Sequence, residues 1–507
     1  MLAKIHTIAL CGVDGLAVEV EVDIANGLPT FSTVGLAEGA VRESKDRVKA
    51  AIKNSGYNFP NRRITVNLAP ADVKKAGTSY DLPIAIGILA SNDCFNQDKL
   101  GSMALAGELS LDGQLRAVQG ILPMVTAARE QGKKAILVPK ANCQEAAMVA
   151  GIDVYGLGSL DQAVEFLADR LELTTSEADR APGATLANDL DFLDVKGQDH
   201  VKRAMEVAAA GSHNILLNGS PGSGKTMLAK RFATILPDPT FEESLETTKV
   251  YSIMGLLAPD QGLVTQRPFR APHHTISDAG LIGGGNQPRP GEVSLAHNGV
   301  LFLDEFPEYK KHVLEVLRQP MEDGSVTISR ASSSLQFPAR FMLVAAMNPC
   351  PCGHLGDHLH GCNCTPLQIK RYNDKLSGPL LDRIDIHLEV PAVPFKEMTH
   401  GLEGESSATI RTRVIAARAR QTARFHRHKR TYANSQMSSR DLKKYCELNQ
   451  PSLSLLEQGM ERLGLSARAY NRILKISRTI ADLADKDQIS PGHIAEALQY
   501  RRIDRRT

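Results

Sequence analysis

Residues Gly219–Thr226 read Gly-Ser-Pro-Gly-Ser-Gly-Lys-Thr, a complete G-x-x-x-x-G-K-T pattern. Such a loop works only where a buried strand feeds it and a helix N-terminus follows. The glycines let successive backbone N–H groups curl around a phosphate, and the helix end favours negative charge. The flanks supply both elements: Ile215-Leu216-Leu217 is apolar and strand-like, and Met227–Ala233 is helical. This context makes the match specific and predicts an α/β domain with a parallel sheet. Gly219, Ser220, Pro221, Gly222, Ser223 and Gly224 then cradle phosphates, Lys225 bridges the β- and γ-phosphates, and Thr226 ligates Mg²⁺. ATP and Mg²⁺ are the expected ligands.

Two further strands belong to the same chemistry. Gly299–Phe306 (GVLFLDEF) is a buried run ending in two acids. Asp304 is expected to hold Mg²⁺, and Glu305 to polarise an attacking water as general base. Phe341–Met347 (FMLVAAM) opens out at Asn348, a position suited to an amide that orients the water.

The rest of the chain is long enough for about three domains. Of its 507 residues 42% are apolar and 23% charged, ordinary for a globular protein. No stretch approaches 18 uninterrupted apolar residues and the N-terminus lacks a signal-peptide layout, so a soluble, cytoplasmic protein without a membrane partner is expected. Residues 1–172 read as mixed α/β. Leu16–Ile24 alternates as a half-buried strand, Glu38–Ser55 has helical spacing, and Arg63–Leu68 is a short strand. Met103–Val118 reads as two strands joined across Asp112-Gly113, with a helix near 120–131 and a strand at Ala135–Val138 after it. Residues 173–188 are small and polar, a linker. Residues 189–395 form the nucleotide-binding core, and 396–507 a helical, basic C-terminal domain.

Four of the eight cysteines fall within 350–364 as Cys350-Pro-Cys352 and Cys362-Asn-Cys364. Two C-x-C pairs joined by a glycine-containing loop suit a tetrahedral structural Zn²⁺ site better than disulfides. His354, His358 or His360 could replace one sulfur. The site begins two residues after Asn348, so it could pin the loop that carries that amide.

Residues 190–395 resemble the magnesium-chelatase-like group of AAA+ ATPases. The resemblance rests on DFLDVKGQ at 191–198, the phosphate loop, RAPHHTIS at 270–277, GEVSLAHNGVLFLDE at 291–305 and SGPLLDRIDIHLEV at 377–390. Over its full length the chain resembles the ComM/YifB family, bacterial AAA+ motors linked to natural transformation, among which ComM is a branch-migration helicase. The resemblance implies a hexameric ring and further roles by position. Asn348 corresponds to sensor 1. Arg383 in LLDRID corresponds to an arginine finger reaching a neighbouring subunit, where salt bridging to Asp382 or Asp385 is the structural alternative. Arg468 corresponds to the sensor-2 arginine, with Arg472 one turn on as its rival. The core is thus expected to be an AAA+ P-loop unit with a helical lid at 396–507.

The N-terminal unit resembles the proteolytic domain of Lon, a ribosomal S5 domain 2-like fold. Lys75-Ala-Gly-Thr-Ser79 corresponds to the segment carrying the Lon nucleophile, and Gly107–Val118 to the hairpin after it. A serine nucleophile needs a base, and the stretch where Lon has its lysine, Gln119–Met124, contains none. A scaffold is therefore expected, with Ser79 a core or turn serine.

Net charge is only +2, from 59 Lys+Arg against 57 Asp+Glu, so no uniformly basic surface offers itself to nucleic acid. Aromatics are 5% with no Trp, which disfavours an extensive base-stacking platform. Arg411–Arg430 nevertheless holds eight Lys/Arg and no acid. It is either a solvated lid helix or a contact to the phosphate backbone of branched or single-stranded DNA. Arg267–Gly285 and Gly324–Ser334, the latter exposing Arg330, are further candidates, because related AAA+ motors place two insertions in the ring pore. Three functions are compatible with the residues: a DNA motor of the ComM type, a magnesium-chelatase motor subunit, and a non-proteolytic remodelling ATPase.

Overall fold

A computed structural model describes residues 2–178, 190–258, 261–285, 288–330, 333–356, 360–393, 404–426 and 431–501. The chain forms two compact units. One takes its residues from 1–183, 241–265 and 327–337, the other from 184–240, 266–326 and 338–507. Two segments within the span expected for the nucleotide-binding core thus count with the N-terminal unit.

In the first unit, Leu2–Cys11 and Asp14–Ala25 pair antiparallel, with Ile5 opposite Val20. Arg63–Ala69 adds an antiparallel strand, and Thr30–Val34 lies parallel outside it. The alternation read from the sequence sets the faces: Val18, Val20, Val22 and Ile24 are buried, while Glu19, Glu21 and Asp23 are not. Helices Gly39–Asn54 and Asp81–Ser91 share the core with that inner face.

The hairpin expected over Met103–Val118 is shorter than its sequence suggests. Gly113 turns at φ +85°, but the paired strands are only Glu108–Leu109 and Leu115–Arg116. Met103–Leu105 instead runs parallel to Ala135–Pro139, which pairs with Asp153–Leu157. Ala104 and Leu105 are both buried, so this run is covered on both faces, as parallel strands are. Helix Phe241–Ile253 also belongs to this unit. Gly120 N–H donates to Ser252 O at 3.1 Å, and the Ser252 hydroxyl bonds the buried Glu145 carboxylate. Burial pushes the Glu145 pKa up, against the pull of that hydroxyl and of the Leu122 N–H at 2.9 Å. Ser79 is buried, in the turn that enters helix Asp81–Ser91, and its carbonyl accepts from Gly107 N–H at 3.0 Å.

The second unit is built on five strands in the order Phe269–Arg270, Val300–Leu303, Met342–Met347, Ile215–Asn218, Ile386–Glu389. All neighbours are parallel. Val300–Leu303 and Met342–Met347 are buried throughout, which explains their unbroken apolar sequence. Asn218 is in register with Met347, and Leu303 with Ala345. The carboxyl ends of three strands therefore finish together, where open α/β sheets bind ligands.

The C-terminal helices are Ser407–Arg424, Ser439–Tyr445, Gln450–Leu463, Ala467–Leu483 and Pro491–Gln499. Ser406, Ser438, Asn449 and Ser466 each cap a helix by accepting a backbone N–H from its first turn. Ile410, Val414 and Ala417 of the first of these helices join the core formed with the sheet.

The basic face of Ser407–Arg424 is committed internally. Arg411 pairs with Asp238 at 2.5 Å, Arg413 with Glu206 and Glu405, Arg420 with Asp485 and Asp487, and Arg424 with Asp482 and Asn434. Arg418 donates to Ala209 O at 3.1 Å. Arg427, Lys429 and Arg430 lie outside the described residues. Of the two readings of the charge run, lid helix and phosphate contact, these pairs favour the first. Among the described residues no helix is long and apolar enough to cross a membrane.

Candidate active site

The phosphate loop connects strand Ile215–Asn218 to helix Lys225–Phe232. Gly222 and Gly224 have φ of +77° and +91°, a region that favours glycine. The Lys225 ammonium donates to Gly219 O at 2.7 Å, Ser220 O at 2.9 Å and Asn348 Oδ1 at 3.1 Å. Burial lowers its pKa, with the Asp304 charge opposing. The Thr226 hydroxyl donates to Asp304 Oδ2 at 2.7 Å. Gly219–Thr226, Asp304 and Asn348, selected separately from the sequence, are therefore in direct contact.

Glu305 follows in a left-handed conformation, φ +51°, with its N–H on Asp304 Oδ1 at 2.9 Å. Its carboxylate is more than half exposed and lies 3.1 Å from His274 Nδ1. Tyr309 meets the His274 ring edge-on and donates to Pro272 O at 2.6 Å, which ties the PHH segment to the acid. Sequence reasoning used PHH as a family mark and missed its contact with Glu305. It also missed Gln198. That side chain donates to Ser223 O at 2.9 Å and Pro391 O at 2.8 Å, joining the DFLDVKGQ segment to the phosphate loop. An isolated Gln gives no sequence signal for such a tie.

Arg383 is buried and turned onto Glu322, neither of the acids expected for a salt bridge. Asp385 is occupied elsewhere. It pairs with Arg472, accepts Asn214 N–H at 3.1 Å and lies 3.3 Å from His213 Nδ1. Burial alone would raise its pKa, but Arg472 beside it, with His213 and Lys475, holds the carboxyl well below the usual carboxylate range. Arg472 also donates to Arg383 O at 3.0 Å. Arg468 is exposed in the first turn of helix Ala467–Leu483. The two candidate lid arginines thus differ: Arg472 is engaged in the chain's own network and Arg468 faces outward.

The four clustered cysteines converge as well, with ligand atoms all within 4.8 Å of one another. The His354 and His360 rings lie 5.0 Å apart between centroids, tilted by 38°, and His358 is outside the described residues.

Three family models match successive parts of the chain. "Magnesium chelatase, subunit ChlI" covers residues 191–398, "Subunit ChlI of Mg-chelatase" 20–142, and "Magnesium chelatase, subunit ChlI C-terminal" 404–501. The competence protein ComM of Haemophilus influenzae is 46% identical over 99% of this chain and 98% of its own length. YifB of Escherichia coli is 45% identical with the same coverage. The chain belongs to the ComM/YifB family. The magnesium-chelatase 38 kDa subunit of Rhodobacter capsulatus is 27% identical over 35% of this chain and 56% of its own, a partial likeness. ComM/YifB membership makes the chain a magnesium-chelatase-like AAA+ protein, a group whose members are ATPases, and supports ATP and Mg²⁺ as its ligands.

Proposed function

We propose that this chain is an ATP-driven DNA motor of the ComM type, a ring-forming branch-migration helicase acting in recombination of DNA taken up by natural transformation. The observation that carries the ATPase half of the reading is the pair of contacts Lys225–Asn348 and Thr226–Asp304 at the ends of three adjacent strands. The DNA half is supported by likeness over 99% of the chain to a competence protein.

The loop's backbone N–H groups and Lys225 bind the triphosphate and orient its γ-phosphate. Thr226 and Asp304, an alcohol and a carboxylate 2.7 Å apart, are an oxygen donor set suited to Mg²⁺. That ion, when bound, neutralises charge developing on the phosphates. Glu305 takes the proton of the attacking water, and Asn348 orients that water or the γ-phosphate. Arg383 acts on the neighbouring subunit's γ-phosphate in a hexameric ring, and Arg468 on the nucleotide from the lid. The cysteine quartet holds structural Zn²⁺. The N-terminal unit is a Lon-like scaffold. DNA is gripped through its backbone by a few loops, Arg330 among them, in a cytoplasmic protein without a membrane partner.

A magnesium-chelatase motor subunit is the alternative, favoured by the three family models named for chelatase subunit ChlI and by the partial likeness to a chelatase 38 kDa subunit; a remodelling ATPase is a third. The deciding experiment compares wild type with Glu305→Gln on a four-way DNA junction across a low-salt range. Wild type is expected to migrate the junction with DNA-stimulated hydrolysis. Glu305→Gln is expected to bind nucleotide but turn over about 10²–10⁴-fold more slowly. A wild type that neither binds DNA nor responds to it sinks the helicase reading.

A further inference from the structure

The cysteine quartet sits directly against the nucleotide site. Its sulfurs are spaced for one tetrahedral ion: Cys350–Cys352 3.4 Å, Cys352–Cys362 3.6 Å and Cys350–Cys362 3.7 Å. Four thiolates at about 2.3 Å from zinc have edges of about 3.8 Å, whereas a disulfide would bring two sulfurs to about 2.05 Å. Cys352 N–H donates to Cys364 Sγ at 3.4 Å, a charge-stabilising bond to a ligand sulfur.

The turn inside the first pair faces the phosphate loop. Gly353 closes it by donating to Cys350 O at 2.9 Å, at φ +84°. A Cβ at Gly353 would lie 2.5 Å from Pro221 Cδ and 2.6 Å from Pro221 Cγ, and 3.9 Å from Asn348 Cγ. Only a glycine lets the cysteine turn approach this closely. Two residues before Cys350, Asn348 holds the Lys225 ammonium. After Cys364, Thr365 caps helix Pro366–Asn373, whose buried Tyr372 hydrogen-bonds the Asn348 backbone. The knuckle and its two flanks therefore bear on Pro221, Asn348 and, through Asn348, Lys225.

We propose that metal occupancy of the Cys350/Cys352/Cys362/Cys364 knuckle sets the nucleotide affinity of the phosphate loop. This rests on the zinc reading above and adds its consequence. A closed knuckle holds Pro221 and Asn348 in place, so the triphosphate meets a loop that is already ordered. An open knuckle releases both, and ordering the loop is charged against binding.

The test uses the full chain, purified without chelator, with zinc per chain from elemental analysis and affinity for mant-ATP from fluorescence titration. Wild type should hold about one zinc, and dialysis against chelator should weaken mant-ATP binding about tenfold, restored by added Zn²⁺. Cys362→Ser with Cys364→Ser should lose zinc and show the same weakening. Gly353→Ala should keep its zinc yet also bind about tenfold more weakly, because the added methyl displaces Pro221 and touches no ligand. Circular dichroism identifies variants that fail to fold, and in that case the chelator series and Gly353→Ala decide. A folded, zinc-free chain with wild-type affinity overturns the coupling and leaves the zinc reading standing. A wild type that neither carries nor takes up zinc overturns both. Neither result depends on DNA, so both are separable from failure of the motor reading.

Discussion

Lys225 and Asn348 are joined by a 3.1 Å hydrogen bond, and the other two donors of the ammonium are spent on the carbonyls of Gly219 and Ser220. The lysine is thus held by the chain's own acceptors, with which a bound phosphate would compete. Lys225→Ala removes the charge proposed to meet the β- and γ-phosphates and should abolish mant-ATP binding at micromolar concentrations. Asn348→Ala leaves the loop and its charge in place, so affinity should fall by no more than about threefold. Its kcat should fall by about 10²-fold, the scale of losing one preorganised hydrogen-bonding group at the reacting centre. An Asn348→Ala chain that loses affinity and keeps its kcat would place Asn348 in binding alone.

Arg383 is buried against Glu322 within its own chain, while its proposed target lies in another. Rotation away from Glu322 is then part of engaging the neighbour. Arg383→Ala chains should lose about 10³-fold or more in turnover, with mant-ATP affinity retained. Lys225→Ala chains should be equally inactive. Mixing the two should recover hydrolysis. In mixed rings a Lys225→Ala chain presents an intact Arg383 to an Arg383→Ala chain whose phosphate loop is intact. If Arg383 acted within its own chain, the mixture would stay as inactive as its parts.

The contacts within the candidate site were legible because their signals are local and rigid. Gly222 and Lys225 lie in the loop and helix start that follow strand Ile215–Asn218, Asp304 and Asn348 directly follow two other apolar strands, and parallel register brings those strand ends together. Contacts that depend on long separations left no such mark. Gln198 reaches Pro391 across 193 positions, and Arg383 finds Glu322 rather than an acid beside it in sequence. The hairpin at Asp112-Gly113 shows the same limit: the turn was correct, but Met103–Leu105 pairs with a strand about thirty residues on. Charge runs were the least decisive, since the partners of Arg411 and Arg420 lie in distant segments.

Those partners make a direct prediction about DNA. Arg411 and Arg420 are held by Asp238, Asp485 and Asp487, whereas Arg330 is exposed at the end of strand Ser325–Arg330. Arg411→Gln with Arg420→Gln should leave affinity for a four-way junction within about twofold and lower thermal stability slightly, as exposed ion pairs contribute little. Arg330→Gln should weaken junction binding across sequences and reduce the slope of log affinity against log salt by about one. The opposite pattern would return the basic helix to the role of DNA contact.

The N-terminal unit contains its own titrating pair. Asp81 is fully buried and bound by Arg47 at 2.8 and 3.0 Å, with Leu109 N–H at 3.3 Å. Burial raises its pKa to about 6 despite the pull of Arg47. A carboxyl whose folded pKa lies above its unfolded value favours folding while protonated, and that advantage is lost as pH rises through about 6. Arg47 limits the loss by pairing with the carboxylate. Arg47→Ala leaves a buried carboxylate unpaired and should cost about 3 kcal/mol at pH 8. At pH 5 Asp81 is protonated in the variant, and the cost should shrink to that of lost packing and hydrogen bonds. Hydrogen exchange of the Asp81–Ser91 helix, corrected for the intrinsic pH dependence of amide exchange, reads the difference. An equal cost at both pH values would mean that Arg47 acts by packing and that the Asp81 charge is immaterial.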